Sequence, residues 1–428
     1  MIVRTSLVFV VSRLVLYGLI FLAPEGQFDT STELTLNRLV ADGSEDYWNR
    51  HLWNKLLSWD AVFFIKGMTS EDGIPEFEHE YAFSPLWIRF VRLCAGNNEL
   101  YDVLKVGVLL ENVLFFLSSI VLYYLTRRLF SQSNRESFYA KRLAGISTDL
   151  FIFTSASGFL TGIYSEPLSF ALAFSGMLCR ELSVEVTIPS GLDCMWSKWP
   201  LYILSSMCFS FATLNRPNCV LLGIYYIFDL LQLAKDKKVL KAVAFPLLAG
   251  VFLFICCVYQ HYILPFDTFC PQRGGWCETQ LSASLPFTSV NFYNHIQDHY
   301  WNVGFLKYWA INNIPNFLLA MPNIVVLLYS TIYFSKIYPH YRLKPLIIIT
   351  QALLIMLIFF AHVQIINRVS SFIPLHLWYM ADRILKTSYK QDDTRPIGDD
   401  KIVKAYIYWL ALWIPLQTVL FACFLPPA

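Results

Sequence analysis

Apolar runs close to twenty residues long recur from one end of this chain to the other, and about 20 such residues are what a helix needs to cross a bilayer. Composition supports the reading. Of 428 residues, 56% are hydrophobic and only 15% charged, with a mean hydropathy of +0.47. A soluble domain carries roughly a quarter of its residues as charges. The chain is therefore expected to be an all-α polytopic membrane protein. A net charge of +2 is too small to point to nucleic acid as a partner.

Basic clusters set the topology, because Lys and Arg collect on the cytosolic side. Val3 to Ala23 reads as an uncleaved first span, with Arg13 snorkelling. Residues 24–105 then form a large acid-rich loop holding Trp48, Trp53, Trp59 and Trp87, which suit a membrane interface. Val106 to Leu125 is the next span and runs into Arg127, Arg128, Arg135, Lys141 and Arg142 on the cytosolic side. Ile146 to Leu182 is too long for one span and is broken at Tyr164-Ser165-Glu166-Pro167, so it reads as a hairpin. Leu201 to Leu233 repeats that design, broken at Asn215-Arg216-Pro217-Asn218 and followed by Lys235 to Lys241. Ala242 to Leu264 leads into a second non-cytosolic loop, residues 265–313. Ile314 to Phe334, Leu346 to Ile366, Phe372 to Leu385 and Ile402 to Phe424 complete about eleven spans in a single domain, 1–428.

The stretch Leu56 to Ile65 holds one carboxylate, Asp60, among Leu, Trp and Phe. In a single helix from Tyr47 to Ile65, Trp48, Leu52, Leu56, Trp59 and Phe63 would form one apolar stripe beside it. A carboxylate in such surroundings is costly to ionise, a condition that tunes a general base. The same residue also suits the N-cap of a helix starting at Ala61. The local sequence favours neither reading. Asp29, the Glu78-His79-Glu80 run, Glu166, Arg216, Asn218, Arg273, His299, Asn367 and Arg368 all fall on the same face of the membrane as Asp60. Charges at membrane depth cost roughly 2.5–3.5 kcal/mol each on an insertion scale, so they collect around cavities and sites. Carboxylates with arginines suit a proton acceptor beside a bound phosphate. Plainer readings exist: Glu166 as a helix end, Arg216 as a snorkelling residue, and the Glu78 run as a solvated face. Cys270 and Cys277 flank a Gly-containing turn in a non-cytosolic loop, which suits a disulfide better than zinc. No phosphate-binding glycine loop and no His-Glu-x-x-His occurs, so no metal is expected.

Trp59-Asp60-Ala61 with Phe63-Phe64, Phe77 to Phe83, Tyr164 to Phe170 and Asn215 to Asn218, in that order, resemble the glycosylphosphatidylinositol (GPI) mannosyltransferase 2 family over essentially the whole chain. The likeness to fungal members extends to the Cys270–Cys277 loop and the Leu-Pro-Pro-Ala end. The resemblance implies a GT-C type glycosyltransferase of the endoplasmic reticulum with both large loops lumenal. It implies transfer of a second mannose, α-1,6, from dolichyl-phosphate mannose to a GPI precursor, with inversion, no cofactor, and a small membrane partner subunit. An inverting displacement needs one base. The resemblance puts Asp60 there, with Trp59 packing against a sugar or holding the loop, and Asp29 as the competing carboxylate. Glu78 and His79 rank ahead of Glu80, and Arg216, Arg273 or Arg368 would balance the departing phosphate. A lipid or sugar transporter, or a related transferase with a protein or N-glycan acceptor, are the alternative readings.

Overall fold

The computed structural model describes residues 2–40, 46–71, 73, 75–131, 136–187, 191–272, 276–277, 292–388 and 401–425. The first apolar run forms α1 (Ile2–Leu22). The buried Lys55 ammonium donates to the carbonyls of Ile20, Phe21 and Ala23 at 3.2, 3.0 and 2.6 Å. A cation there satisfies carbonyls the helix leaves open and complements its dipole. The contact also docks the first large loop onto the end of the bundle.

That loop carries α2 (Ser31–Leu39), irregular helical turns over 49–56, α3 (Asp60–Thr69) and α4 (Pro85–Ala95). The single helix through Tyr47 to Ile65 on which the apolar stripe depends does not form. Helical turns end at Leu56, Trp59 takes a positive φ of 59°, and α3 starts afresh at Asp60. A Trp in that region of φ is held only by its surroundings. Here its indole Nε1 donates to the Leu425 carbonyl at 3.2 Å and its ring stacks on Phe424 at 5.4 Å. The start of α4 is coded more simply. Ser84 accepts from the Trp87 N–H at 3.1 Å, Pro85 opens the helix, and Gly96 closes it at φ 72°.

The bundle follows as α5 (Leu100–Phe130), α6 (Glu136–Ile152), α7 (Glu166–Ser183), α8 (Trp199–Asn215), α9 (Pro217–Lys235), α10 (Val239–Phe269), α11 (Phe292–Trp301), α12 (Ile311–Ile337), α13 (Tyr341–Phe360), α14 (Leu375–Ser388) and α15 (Lys401–Ala422). Among the described residues seven helices are long and apolar enough to cross a membrane: α1, α5, α9, α10, α12, α13 and α15. The difference from the expected eleven lies in α6, α7, α8 and α14, which are too short or too polar to qualify by length and composition. The chain does break at both expected hairpin tips, before Glu166 and at Arg216. One element was not expected. Val184–Thr187 (β1) pairs antiparallel with Gly191–Cys194 (β2), where β-branched residues follow α7 and Gly191 takes φ 140°.

Three apolar clusters hold these parts together. Phe115, Phe151, Phe170 and Phe174 pack mostly edge to face in the bundle core. Leu57, Phe64, Ile65, Met68 and Trp87 of the first loop pack with Ile20, Tyr164 and Phe421. Full burial of such a side chain contributes about 1.5–3 kcal/mol, so this second cluster fixes the loop firmly. Tyr81, Phe269, Trp276, Phe292 and Ile296 join the two loops, next to a Cys270–Cys277 disulfide. Arg13 does not snorkel. It is 5% exposed and donates to the Leu160 carbonyl at 2.6 Å, because the break between α6 and α7 frees that carbonyl inside the bundle.

Candidate active site

Four charged side chains from four separate chain breaks meet at the loop end of the bundle. Asp60 opens α3, and its side chain caps no backbone N–H. Its Oδ2 accepts from Arg368 Nη1 at 2.6 Å, while Oδ1 has no hydrogen-bond partner among the described residues. Arg368 also places Nε 2.9 Å from Glu166 Oε1, and Arg216 pairs with that same oxygen. Glu166 is only 5% exposed at its side chain, so both arginines serve a carboxylate withdrawn from water. The set sums to zero charge. The Arg368 guanidinium lies over the rings of Phe159 and Tyr164 at 5.3 and 5.2 Å, the favourable face for a cation.

Backbone breaks position each member. Arg368 sits in the single turn Ile366–Val369. Its neighbour Asn367 accepts from Asn323 Nδ2 at 2.7 Å and donates to the Leu319 carbonyl at 3.3 Å. Ser155 donates to the Asn367 carbonyl at 2.6 Å. Asn367 is thus a buried anchor for Arg368. Asn215 does the same for Glu166 and Arg216. Its Nδ2 donates to the Ser165 carbonyl and to Ser169 Oγ, both at 2.7 Å, and its Oδ1 accepts from Ser84 at 2.5 Å. Behind the quartet, Glu111 of α5 is fully buried and interacts electrostatically with Arg13 and Glu166.

Asp60 and Arg368 form part of the wall of a cavity of about 480 Å³. Its other walls are Ser31 and Trp59, the rings of Phe63, Phe83, Phe159, Trp301 and Phe424, and the polar groups of Asn316, His362 and Gln364. The volume and the mixture of aromatic walls with a few polar groups fit a small-molecule site. His362 Nε2 donates to the Trp301 carbonyl at 3.0 Å and its ring stacks on Tyr308. Burial lowers its imidazole from the ordinary value. Gln364 Oε1 is buried with no partner. A carboxylate with one oxygen fixed by a guanidinium and the other unengaged can accept a proton, and the guanidinium can steady an anion beside it.

Not every residue picked from sequence joins this cavity. Asp29 is exposed, and the Ser31 hydroxyl together with the Ser31 N–H, which donates to its Oδ1 at 2.7 Å, holds the carboxyl below its usual range. Glu78 joins the loops instead. It accepts from Trp276 Nε1 at 3.0 Å and Tyr300 hydroxyl at 3.5 Å, with His295 Nε2 at 3.8 Å. His79 packs one layer behind the wall, edge-on to Phe63, and burial lowers its imidazole as well. Glu80 pairs with Lys66 at 2.6 Å, and His299 stacks on His295. Asn218 contacts Cys219 Sγ at 4.0 Å and does not line the cavity. Arg273 lies outside the described residues. Trp301, His362, Gln364 and Asn316 were missed by sequence reasoning. The one signal was the polar pair His362 and Gln364 close after an apolar span. Among the described residues no three His, Cys, Asp or Glu side chains cluster as a metal would require.

Residues 2–428 match the family profile described as Mannosyltransferase (PIG-V). The chain is 58% identical over 433 residues to GPI mannosyltransferase 2 of Saccharomyces cerevisiae, covering 100% of both chains. It is 49% identical to GPI mannosyltransferase 2 of Candida glabrata, covering 100% of this chain and 99% of that one. Among solved structures, the oligosaccharyltransferase of Archaeoglobus fulgidus aligns with a TM-score of 0.48 at 12% identity, over 99% of this chain and 55% of that one. The chain thus spans about half the length of that archaeal protein.

Proposed function

The chain belongs to the mannosyltransferase (PIG-V) family, and from that premise we propose that it transfers a mannose to the GPI precursor at the Asp60–Arg368 cavity. The donor is dolichyl-phosphate mannose, and the product is an α-1,6 link to the first mannose. The observation that carries the reading is the pairing of Asp60 Oδ2 with Arg368 Nη1, 2.6 Å apart, in the wall of a 480 Å³ cavity. A proton acceptor and an anion holder are the two groups that an inverting displacement on a mannosyl phosphate requires. The acceptor's 6-hydroxyl oxygen bonds to the anomeric carbon as the bond from that carbon to the phosphate oxygen breaks. The hydroxyl proton passes to Asp60, and the electron pair leaves on dolichyl phosphate, whose charge Arg368 balances. Trp59 packs beside the reacting sugar. No cofactor enters this scheme, because the lipid phosphate is itself a competent leaving group.

The apolar helices make the protein multi-pass. Its place is the endoplasmic reticulum membrane with the cavity on the lumenal side, and a small membrane subunit is its expected partner. The deciding assay follows mannose from labelled dolichyl-phosphate mannose into the GPI precursor with the full-length protein in membranes. Asp60→Asn is expected to lower the rate by roughly 10²–10⁴ while the protein still accumulates. Full transfer by Asp60→Asn at equal protein level would overturn the assignment of the base.

A further inference from the structure

A second chamber of about 310 Å³ adjoins the first, sharing Val62 with it. The same two helices run past both. α2 gives Ser31 to the first chamber and Thr35 and Arg38 to the second, while α3 gives Asp60 to the first and Lys66 to the second. From Asp60 to Lys66 is six residues, roughly 9 Å along a helix. That places the second chamber one to two sugar units from the first along a short glycan.

The chemistry of the second chamber differs from the first. Lys66 Nζ lies 2.9 Å from Glu76 Oε2 and 2.6 Å from Glu80 Oε1. Glu80 Oε2 accepts from the backbone N–H groups of Glu76 and Phe77 at 2.8 and 3.2 Å, so the cluster is rigid on one side. Arg38 is exposed and makes no ion pair among the described residues. The lining therefore offers two carboxylates bound to one ammonium, and a separate guanidinium open to an anion.

We propose that this chamber is the subsite for the core of the acceptor, with Arg38 holding its inositol phosphate and the Glu76–Lys66–Glu80 cluster holding its amino sugar. The inference rests on the transfer reaction assigned to the first chamber. The donor does not fit the second chamber, because its phosphate is joined directly to the sugar being transferred and must lie beside Asp60 and Arg368. An acceptor of the GPI class has its phosphate set apart from its reactive mannose by an amino sugar and inositol. Only the acceptor needs a second place for an anion, at a distance from the reacting sugar. Leu34 of α2 is exposed and forms part of the lining. Such apolar residues on a surface helix turn toward lipid, the side from which a glycolipid arrives.

The test uses the full-length protein in membranes, with a GPI precursor bearing one mannose as acceptor and its N-acetylated form as a second acceptor. Arg38→Ala is expected to raise the acceptor KM about tenfold, with the loss confined to that parameter and the donor KM held. Glu76→Gln is expected to narrow the preference for the free-amine acceptor over the N-acetylated one. Both residues are exposed, so neither variant should lose its fold, and equal abundance checks this. An unchanged acceptor KM in Arg38→Ala, or a rise in the donor KM instead, overturns the proposal, as does an unaltered amine preference in Glu76→Gln. Failure of the first-chamber reading would show separately, as full activity in Asp60→Asn.

Discussion

Neutralising Glu166 should leave the site with too much positive charge and the fold with two buried guanidiniums facing each other. Arg368 Nε is 2.9 Å from Glu166 Oε1 and Arg216 pairs with the same atom, with the three side chains 14%, 5% and 14% exposed. At an effective dielectric near 20, unit charges about 4 Å apart interact by roughly 4 kcal/mol. Glu166→Gln removes two such attractions and leaves one repulsion between the arginines, partly offset because a buried carboxylate no longer has to be desolvated. Breaking a buried pair by removing one partner typically costs about 3–5 kcal/mol, and that is the destabilisation expected. Glu166→Gln with Arg216→Gln restores neutrality through the remaining Asp60–Arg368 pair and should recover most of the loss. The assay is a double-mutant cycle on thermal unfolding of the detergent-solubilised protein, followed by intrinsic Trp fluorescence. Wild-type stability in Glu166→Gln, or additive losses in the double variant, would show that the four charges are not one unit.

Three further outcomes follow from the same geometry. Asp29→Asn should retain transfer activity within about twofold, since Asp29 is exposed and meets only Ser31, and Asn still accepts a bond from its backbone; a complete loss in the mannose-transfer assay would move the base to Asp29. Lys55→Met should strand the Phe21 and Ala23 carbonyls at the end of α1 and cost about 1–3 kcal/mol for a buried group left unmet, read as faster limited proteolysis of the first loop. Burial lowers His362 below its ordinary 6.5, so the unfolded chain binds more protons than the folded one as pH falls below about that value. Stability should therefore be flat above pH 6.5 and decline on acidification, and His362→Gln should blunt the decline in melting temperature between pH 7 and 5.5.

The breaks in the helices were legible in the sequence; their partners were not. Tyr164 to Pro167 and Asn215 to Asn218 interrupt long apolar runs with polar residues and proline, and a local reading marks such interruptions directly. The distribution of Lys and Arg then places them on one face. Nothing local says that Asp60 meets Arg368, 308 residues away. That pairing depends on how the first loop docks, and docking is decided by Lys55 under α1 and by Trp87, whose indole donates to the Ile163 carbonyl at 3.1 Å. Neither residue carries a motif. The same limit explains Glu78. Its composition and neighbours resemble those of a site carboxylate, and only the contact with Trp276, 198 residues on, shows that it ties two loops together. The stripe through Trp48 to Phe63 failed for a related reason, since Phe424 and Leu425 from the far end of the chain hold Trp59 at a positive φ that no local propensity favours.

Each of the four charges stands at or beside a break in a helix, and this has a physical basis. Within a bilayer an interrupted helix exposes backbone groups that lipid cannot satisfy, so interruptions persist only where protein or a water-filled cavity meets them. Here Asn215 satisfies the Ser165 carbonyl, Ser155 that of Asn367 and Arg13 that of Leu160. The polar side chains that repair the breaks make the neighbourhood habitable for Asp60, Glu166, Arg216 and Arg368. A substitution in a repairing residue such as Asn215 should therefore disturb the charges without touching any ligand, because Asn215 joins the Ser84 turn to the Ser165–Glu166 turn. Cavity and breaks form one polar system, in which Asp60 and Arg368 line the cavity and Glu166 and Arg216 are tied to them through Arg368.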